Sequence, residues 1–483
     1  MLAAAVSVAC LPAAASASVI SQGAFRMGAD AMWAQGLGGA GQTVAILDEG
    51  FGGLTESIAA GELPGRDQMG IQSFDARYGL DGRNRLGGPT QHGTRMAEIV
   101  HDVAPGAHLV LVNYNTVAEF TTAVAWITQQ GIPIVSHSNS FLDGPFDGTG
   151  PAAQAVDRAA AAGAVWVNSA GNFAQRHWEG QAPPGGVTIP IPPQTDGWLD
   201  LHLSWRDPAA LALITVQQQA PDGTWNDIAT STRSGPVSVA APQMPMEPGT
   251  SYRAVITQTS GSPQELELFS GSAALGAMAV PAGSVATPGD ARGAIAVAAV
   301  PWAGTDAAVY SSQGPTDDGR LKPDVAGPTY VTANADYPGA AGTSAATAHV
   351  AGAAALLRQA RLLAGLPVGV DDMRAALGEG AEDLGVPGRT RCSARAGAAG
   401  PPGAGRAGAR DPRLGLVRIR ATDDGTFNTL DVRVGNRLLR HIRRLSTGLR
   451  YTPSSRTVST LVVTATDVSG NATVRTVRVR GRM

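Results

Sequence analysis

The chain has 483 residues, 43% hydrophobic and 16% charged, enough for one large or two to three ordinary domains and unlike a wholly disordered polypeptide. A formal net charge of −3, with no basic helix or RNA-type motif, argues against a dedicated nucleic-acid binder. The only cysteines are Cys10 and Cys392, too few for a disulfide framework, and Lys322 is the single lysine.

The chain opens with "MLAAAVSVACLPAAASAS", whose apolar stretch is too short to span a bilayer. Ala15-Ser16-Ala17 suits a leader-peptidase site, so residues 1–17 read as a signal peptide and the protein as secreted. A lipoprotein anchor at Cys10 fits less well, because Ser7 stands where that signal usually carries leucine. No later segment is apolar enough to cross a membrane.

From about residue 41 to 180, strand-like runs ("QTVAILD", "HLVLVN", "IPIVSHSNS", "AVWVNSAGN") alternate with helical patterns ("TTAVAWITQQ", "AAQAVDRAAAAG"). Continuous apolar strands between amphipathic helices predict a doubly wound parallel α/β sheet covered on both faces. Functional groups in such sheets collect at the carboxyl ends of the strands. Over about 185–275 the period changes to two, with Pro and Gly between runs such as "LALITVQQQ" and "SYRAVITQT". This predicts an inserted antiparallel β unit. The α/β pattern returns at "GAIAVAAV" and runs through a helix opening at "GTSAATAHVAG" to about 384. Residues 385–410 are rich in Gly, Ala, Pro and Arg and read as a linker. Residues 411–483 read as a small all-β domain, an immunoglobulin-like sandwich.

Acyl transfer by a serine needs a base, a carboxylate that orients the base, and donors for the oxyanion. The candidates are Asp48 at the end of "VAILD", His92 in "QHGTRMAEIVHDVAP", Asn172 in "VNSAGN" and Ser344 in "GTSAATAHVAG". Singly, each has a plainer explanation: a turn carboxylate, a hydrogen-bonded surface histidine, a left-handed turn residue and a helix N-cap. The other seven histidines, His101 and His349 among them, are read as ordinary surface groups.

Together, the four blocks and their Asp–His–Ser order resemble the signature blocks of the subtilisin-like serine peptidases, the subtilases. "YSSQGPTDDGRLKPDVAGP" at 310–328 resembles the family's segment preceding the nucleophile, and the resemblance spans roughly residues 28–384. It implies a subtilisin-like domain over 18–384 and an endopeptidase working through an acyl-enzyme. Ser344 would be the nucleophile, His92 the general base, Asp48 its orienting acid and Asn172 the oxyanion donor. "SNSFLDG" resembles the substrate-pairing edge around Ser140, Phe141 and Leu142, where a peptide would add as a strand. The implied partners are peptide or protein substrates, and the protein is expected to be a monomer. No cofactor or metal is assigned, although relatives commonly bind structural calcium, and Asp317-Asp318 read as solvated turn carboxylates. Two residues depart from the family pattern: Glu49 replaces the usual Ser or Thr after the acid, and Ala348 the usual Pro four residues after the nucleophile. A second carboxylate at Glu49 is expected to raise the His92 pKa. The rival expectation is a catalytically silent binding protein on the same fold. A third, an esterase or peptide ligase, shares the acyl-enzyme and differs in the acceptor.

Overall fold

The computed structural model describes residues 18–84, 87–194, 197–334 and 337–384, with Arg391–Cys392 and the C-terminal strands given below. The expected leader at 1–17 and nearly all of the expected linker at 385–410 lie outside the described residues. The chain divides into two units, the first running to Glu382 and the second holding the C-terminal tail.

In the first unit, β1 (Thr43–Asp48), β2 (Gly70–Ser73), β3 (His108–Asn113), β4 (Ile134–His137) and β5 (Val165–Ser169) are all parallel. α1 (Gln22–Arg26) and α2 (Ala29–Trp33) precede β1, and α3 (Leu54–Ala60), α4 (His92–Val103), α5 (Val117–Gln129) and α6 (Pro151–Ala161) run between the strands. α5 starts with a capping box, the Thr116 hydroxyl accepting from Glu119 N–H while the Glu119 carboxylate accepts from Thr116 N–H. After the insert come β15 (Ala294–Pro301), β16 (Val325–Thr329), α7 (Thr343–Leu363) and α8 (Val370–Gly380). The seven strands lie in the order β16-β15-β5-β4-β1-β3-β2.

Successive residues of β1 serve opposite faces, as the strand period of two requires. Val44 and Ile46 pack in one core with residues of α4 and α7, while Ala45 and Leu47 pack in another with residues of α5 and α6. Burial on both faces explains the unbroken apolar runs and gives the expected doubly wound sheet.

The inserted unit consists of β6 (His177–Gly180), β7 (Val187–Ile191), β8 (Trp198–Ser204), β9 (Leu211–Gln219), β10 (Trp225–Thr230), β11 (Thr232–Ser234), β12 (Val237–Pro245), β13 (Tyr252–Ser260) and β14 (Leu266–Ser270). They form two antiparallel sheets, β10-β9-β13-β7 and β11-β12-β8-β14-β6. Both contribute to one core that includes Leu201, Leu203, Ile214, Val216, Ile256 and Leu268. The unit begins at His177, ahead of the expected position near 185. β6 is four residues long and buries two adjacent residues, so it carries no period-two signal.

In the second unit, Phe427–Val434 pairs antiparallel with Arg437–Ile442 and Val458–Asp467, and the latter with Ala472–Arg480. Leu416–Val417 pairs with Leu449–Arg450. The packing that would define the expected sandwich lies outside the described residues. No helix among the described residues is long and apolar enough to cross a membrane.

Helix α7 is buried almost throughout from Thr343 to Leu357. Its small residues permit two close approaches. A Cβ on Gly327 of β16 would lie 2.4 Å from Ala346 O, and one on Gly352 would lie 2.6 Å from Val103 Cβ of α4. Gly352→Ala is therefore expected to lose roughly 1–3 kcal/mol through overpacking, with Val103→Ala restoring part of the loss in the double variant. Unfolding in denaturant checks both, and an unchanged Gly352→Ala midpoint would contradict this account of the contact.

Candidate active site

Strand register assembles the site. β1 and β4 pair Leu47 with His137, so Asp48 and Ser138 emerge side by side at the carboxyl ends of neighbouring strands. β4 and β5 pair His137 with Asn168, four residues before Asn172. Adjacent strands lie about 4.8 Å apart, which places these groups within side-chain reach of one another.

Asp48 is fully buried. Its Oδ1 accepts from Glu49 N–H at 2.8 Å, and Oδ1 and Oδ2 lie 2.8 and 2.9 Å from His92 Nδ1. A carboxylate can only accept, so Nδ1 carries the proton and Nε2 is the free lone pair of the neutral ring. His92 is the first residue of α4, with its side chain 35% exposed. Gly93 allows the approach: a Cβ there would lie 2.6 Å from Gly50 O and 2.9 Å from Asp48 Cβ. Burial by itself would depress the His92 pKa. The charge and hydrogen bond of Asp48 outweigh it, Glu49 adds to them, and the pKa rises to about 9.

Ser344 is the second residue of α7 and 7% exposed. It does not cap the helix, because Gly342 holds the N-cap position. Its hydroxyl donates to Ser138 O at 3.0 Å, and Ser138 Oγ donates to Ser344 O at 3.4 Å. Among the described residues no hydrogen bond joins Ser344 to His92. Asn172 supplies the cap that Gly342 lacks: its Oδ1 accepts from Thr343 N–H at 2.9 Å and Thr343 Oγ1 at 3.1 Å. With the carbonyl so engaged, the Asn172 amide nitrogen is left to donate elsewhere.

Gly342, at φ 109°, is held in a closed ring of hydrogen bonds. Its N–H donates to Tyr310 OH at 2.8 Å, Tyr310 OH lies 2.9 Å from Thr329 Oγ1, and Thr329 Oγ1 donates to Gly342 O at 3.2 Å. Since Thr329 uses its proton on the carbonyl, Tyr310 donates to Thr329. Ser312 fastens the Asn172 turn from the other side, accepting from Phe173 N–H at 3.0 Å and donating its own N–H to Gly171 O at 3.0 Å. The block at 310–328 was legible as a unit, but no signal in it singled out Tyr310 or Ser312 as clamps.

The segment 140–142 divides. Phe141 N–H is already bonded to Thr287 O at 2.8 Å, and its ring packs on Tyr114 and Phe120. Leu142 packs against the cluster of Phe146, Phe173, Phe269 and Ala286. Ser140 is half-buried. Next to them, Asp143 accepts from His202 Nδ1 of β8 at 2.6 Å, pinning the insert to this loop.

Several histidines expected at the surface are in the interior: His137, His177 and His349 are fully buried. His137 Nδ1–H donates to Asn168 Oδ1 at 2.7 Å while Nε2 accepts from Tyr114 OH at 2.8 Å. Burial depresses its pKa to about 4, so the ring is neutral. Sequence gives no warning, since a buried histidine satisfied by distant partners looks like any other. Asp318 is ion-paired rather than simply solvated, with Arg320 Nε at 2.8 Å and Arg292 at 2.7 Å. Among the described residues no group of three or more His, Cys, Asp or Glu side chains converges as a metal site.

Because the His92 pKa is raised, the ring stays protonated through neutral pH and loses its charge as pH rises through about 9. Imidazole resonances followed by NMR should show this midpoint, and Glu49→Thr should move it down by a fraction of a unit. An ordinary wild-type midpoint near 6.5 would contradict the account.

Residues 39–279 and 272–398 match the model of the subtilase family, peptidase S8. The fold is similar to that of the CspB protease of Clostridium perfringens, with a TM-score of 0.53 and 15% identity, covering 77% of this chain and 96% of that one. No curated protein sequence matches the chain. The family match covers well over half of the sequence, and the parallel sheet with its helices on both faces is the corresponding architecture: the chain belongs to the subtilase family of serine peptidases.

Proposed function

We propose that the protein is a secreted serine endopeptidase in which Ser344 attacks the scissile carbonyl, with His92 as general base and then acid. Asp48 holds the imidazole in the tautomer that leaves Nε2 free and stabilises the cation formed when the ring takes the serine proton. The Asn172 side-chain amide and the Ser344 backbone N–H donate to the oxyanion, helped by the N-terminal dipole of α7. The observation that carries this reading is the double contact of the buried Asp48 carboxylate with His92 Nδ1, one strand away from Ser138 and Ser344.

For attack, the Ser344 hydroxyl must exchange its acceptor, turning from Ser138 O to His92 Nε2. Catalytic hydrogen bonds are often unmade in free enzymes and form in the substrate complex. The Ser138 carbonyl so released, with the backbone through Ser140, is suited to pair with an extended peptide substrate. Phe141 and Leu142 would anchor that edge from behind, one through Thr287 and both through buried packing.

The resting bond from Ser344 to Ser138 O is also the one observation that favours the rival, a silent binding protein, since an unengaged serine would make it too. Labelling with a serine-reactive fluorophosphonate separates the two. Wild-type protein should label and Ser344→Ala should not; a folded wild type that resists the reagent at pH 9 would favour the rival. In peptide hydrolysis, Asn172→Ala should lower kcat by roughly 10²–10³-fold with little change in KM. A peptide panel compared with simple esters separates a peptidase from an esterase.

A further inference from the structure

The first described residues run into a buried group of carboxylates. Val19 N–H lies 3.2 and 3.1 Å from Glu62 Oε1 and Oε2, and Ser21 N–H donates to Asp102 Oδ2 at 2.9 Å. Glu62, Glu98 and Asp102 are all buried. They are mutually close: the Glu98 charge acts on Glu62, and both act on Asp102. Glu98 is well served, by Arg95 at 2.8 Å, Ser57 Oγ at 2.7 Å and Asn334 Nδ2 at 2.9 Å. Among the described residues, Arg95 is the one cation placed against this group, and its ion pair is with Glu98. Burial pushes the Glu62 carboxyl up and that of Asp102 to about 8. Buried carboxylates without a cation are costly, so Glu62 and Asp102 favour the protonated form unless a cation is brought to them.

A candidate cation is one residue away. Ser18 precedes Val19, is exposed, and follows Ala15-Ser16-Ala17 directly. We infer that Glu62, backed by Asp102, is the binding site for this chain's own α-ammonium, freed on Ser18 when a leader peptidase hydrolyses the Ala17–Ser18 bond. Water supplies hydroxide to the Ala17 carbonyl carbon and a proton to the Ser18 nitrogen, which takes a further proton from solvent. The leader leaves as a carboxylate and the mature chain starts with an ammonium. Consecutive residues are about 3.8 Å apart, so the Ser18 nitrogen lies next to the Val19 N–H that already faces Glu62.

The docked segment reaches the catalytic helix. Ser21 Oγ donates to His349 Nε2 at 2.8 Å, and His349 Nδ1–H donates to Ala345 O at 2.7 Å, in the residue after Ser344. A Cβ on Gly23 would lie 2.0 Å from His349 Nε2, so the segment sits directly against that ring. Removal of the leader would thereby be coupled to the seating of the first turn of α7.

The test uses the full chain with its leader, expressed in a secreting bacterial host as the Ser344→Ala variant, so that its outcome is independent of whether the protein is a peptidase. Intact mass should place the mature start at Ser18. The chain then holds two amines, the α-amine and Lys322, and reductive methylation with ¹³C-formaldehyde lets NMR titrate each. The α-amine should titrate about one unit or more above its ordinary 7.7–8.0, and return to that range in Glu62→Gln. Inserting one glycine before Ser18 moves the ammonium outward without touching the carboxylates and should also return it to the ordinary range, which covers failure of Glu62→Gln to fold. A start other than Ser18, an ordinary wild-type titration, or a raised value that survives the insertion would overturn the inference.

Discussion

Helix α7 can lie where it does only because its neighbours give way to its backbone. Gly327 on β16 and Gly352 on the helix have no Cβ, and each stands where one would enter the van der Waals radius of Ala346 O or Val103. The run of alanines between them keeps the helix narrow enough to sit among α4, β15 and β16. Ser344 inherits its position from that packing rather than from its own contacts. The small residues of "GTSAATAHVAG" are thus a packing device with the candidate nucleophile Ser344 set among them.

Around this helix, polar groups are ordered by hydrogen bonds that leave few choices of tautomer. Asp48 forces the proton of His92 onto Nδ1. Behind it, Tyr114, His137, Asn168 and Trp166 form a buried chain, with Trp166 Nε1–H donating to Asn168 Oδ1 at 3.0 Å. Trp166 and Asn168 share β5, while His137 reaches them from β4 and Tyr114 from the segment after β3, so the network helps specify how these elements align. Low dielectric makes such bonds strong and makes any unpaired member expensive. The ring of Gly342, Tyr310 and Thr329 applies the same principle to the backbone, holding a glycine at positive φ immediately before α7.

Charge follows a different rule on the two sides of the helix. At the candidate active site the buried carboxylate meets a ring that can become a cation. At the opposite end of the Ser21–His349–Ala345 relay, Glu62 and Asp102 meet backbone amides, which stabilise a carboxylate but do not neutralise it. The N-terminal segment is therefore held through its backbone amides by buried carboxylates.

The alternation of strands and helices, the two-face burial, the period-two insert and the choice of Asp48, His92, Asn172 and Ser344 as candidates all came from local sequence patterns. Each is a local pattern, and local patterns survive in one dimension. The register that sets Ser138 beside Asp48, the engagement of Phe141 and Leu142 in packing, the clamp around Gly342 and the interior place of His137 and His349 were decided by the tertiary structure alone. Each depends on residues far apart in the chain meeting across the fold, up to 328 positions for Ser21 and His349. Pairings at that distance leave no mark in composition or spacing, because either partner by itself is an ordinary serine or histidine.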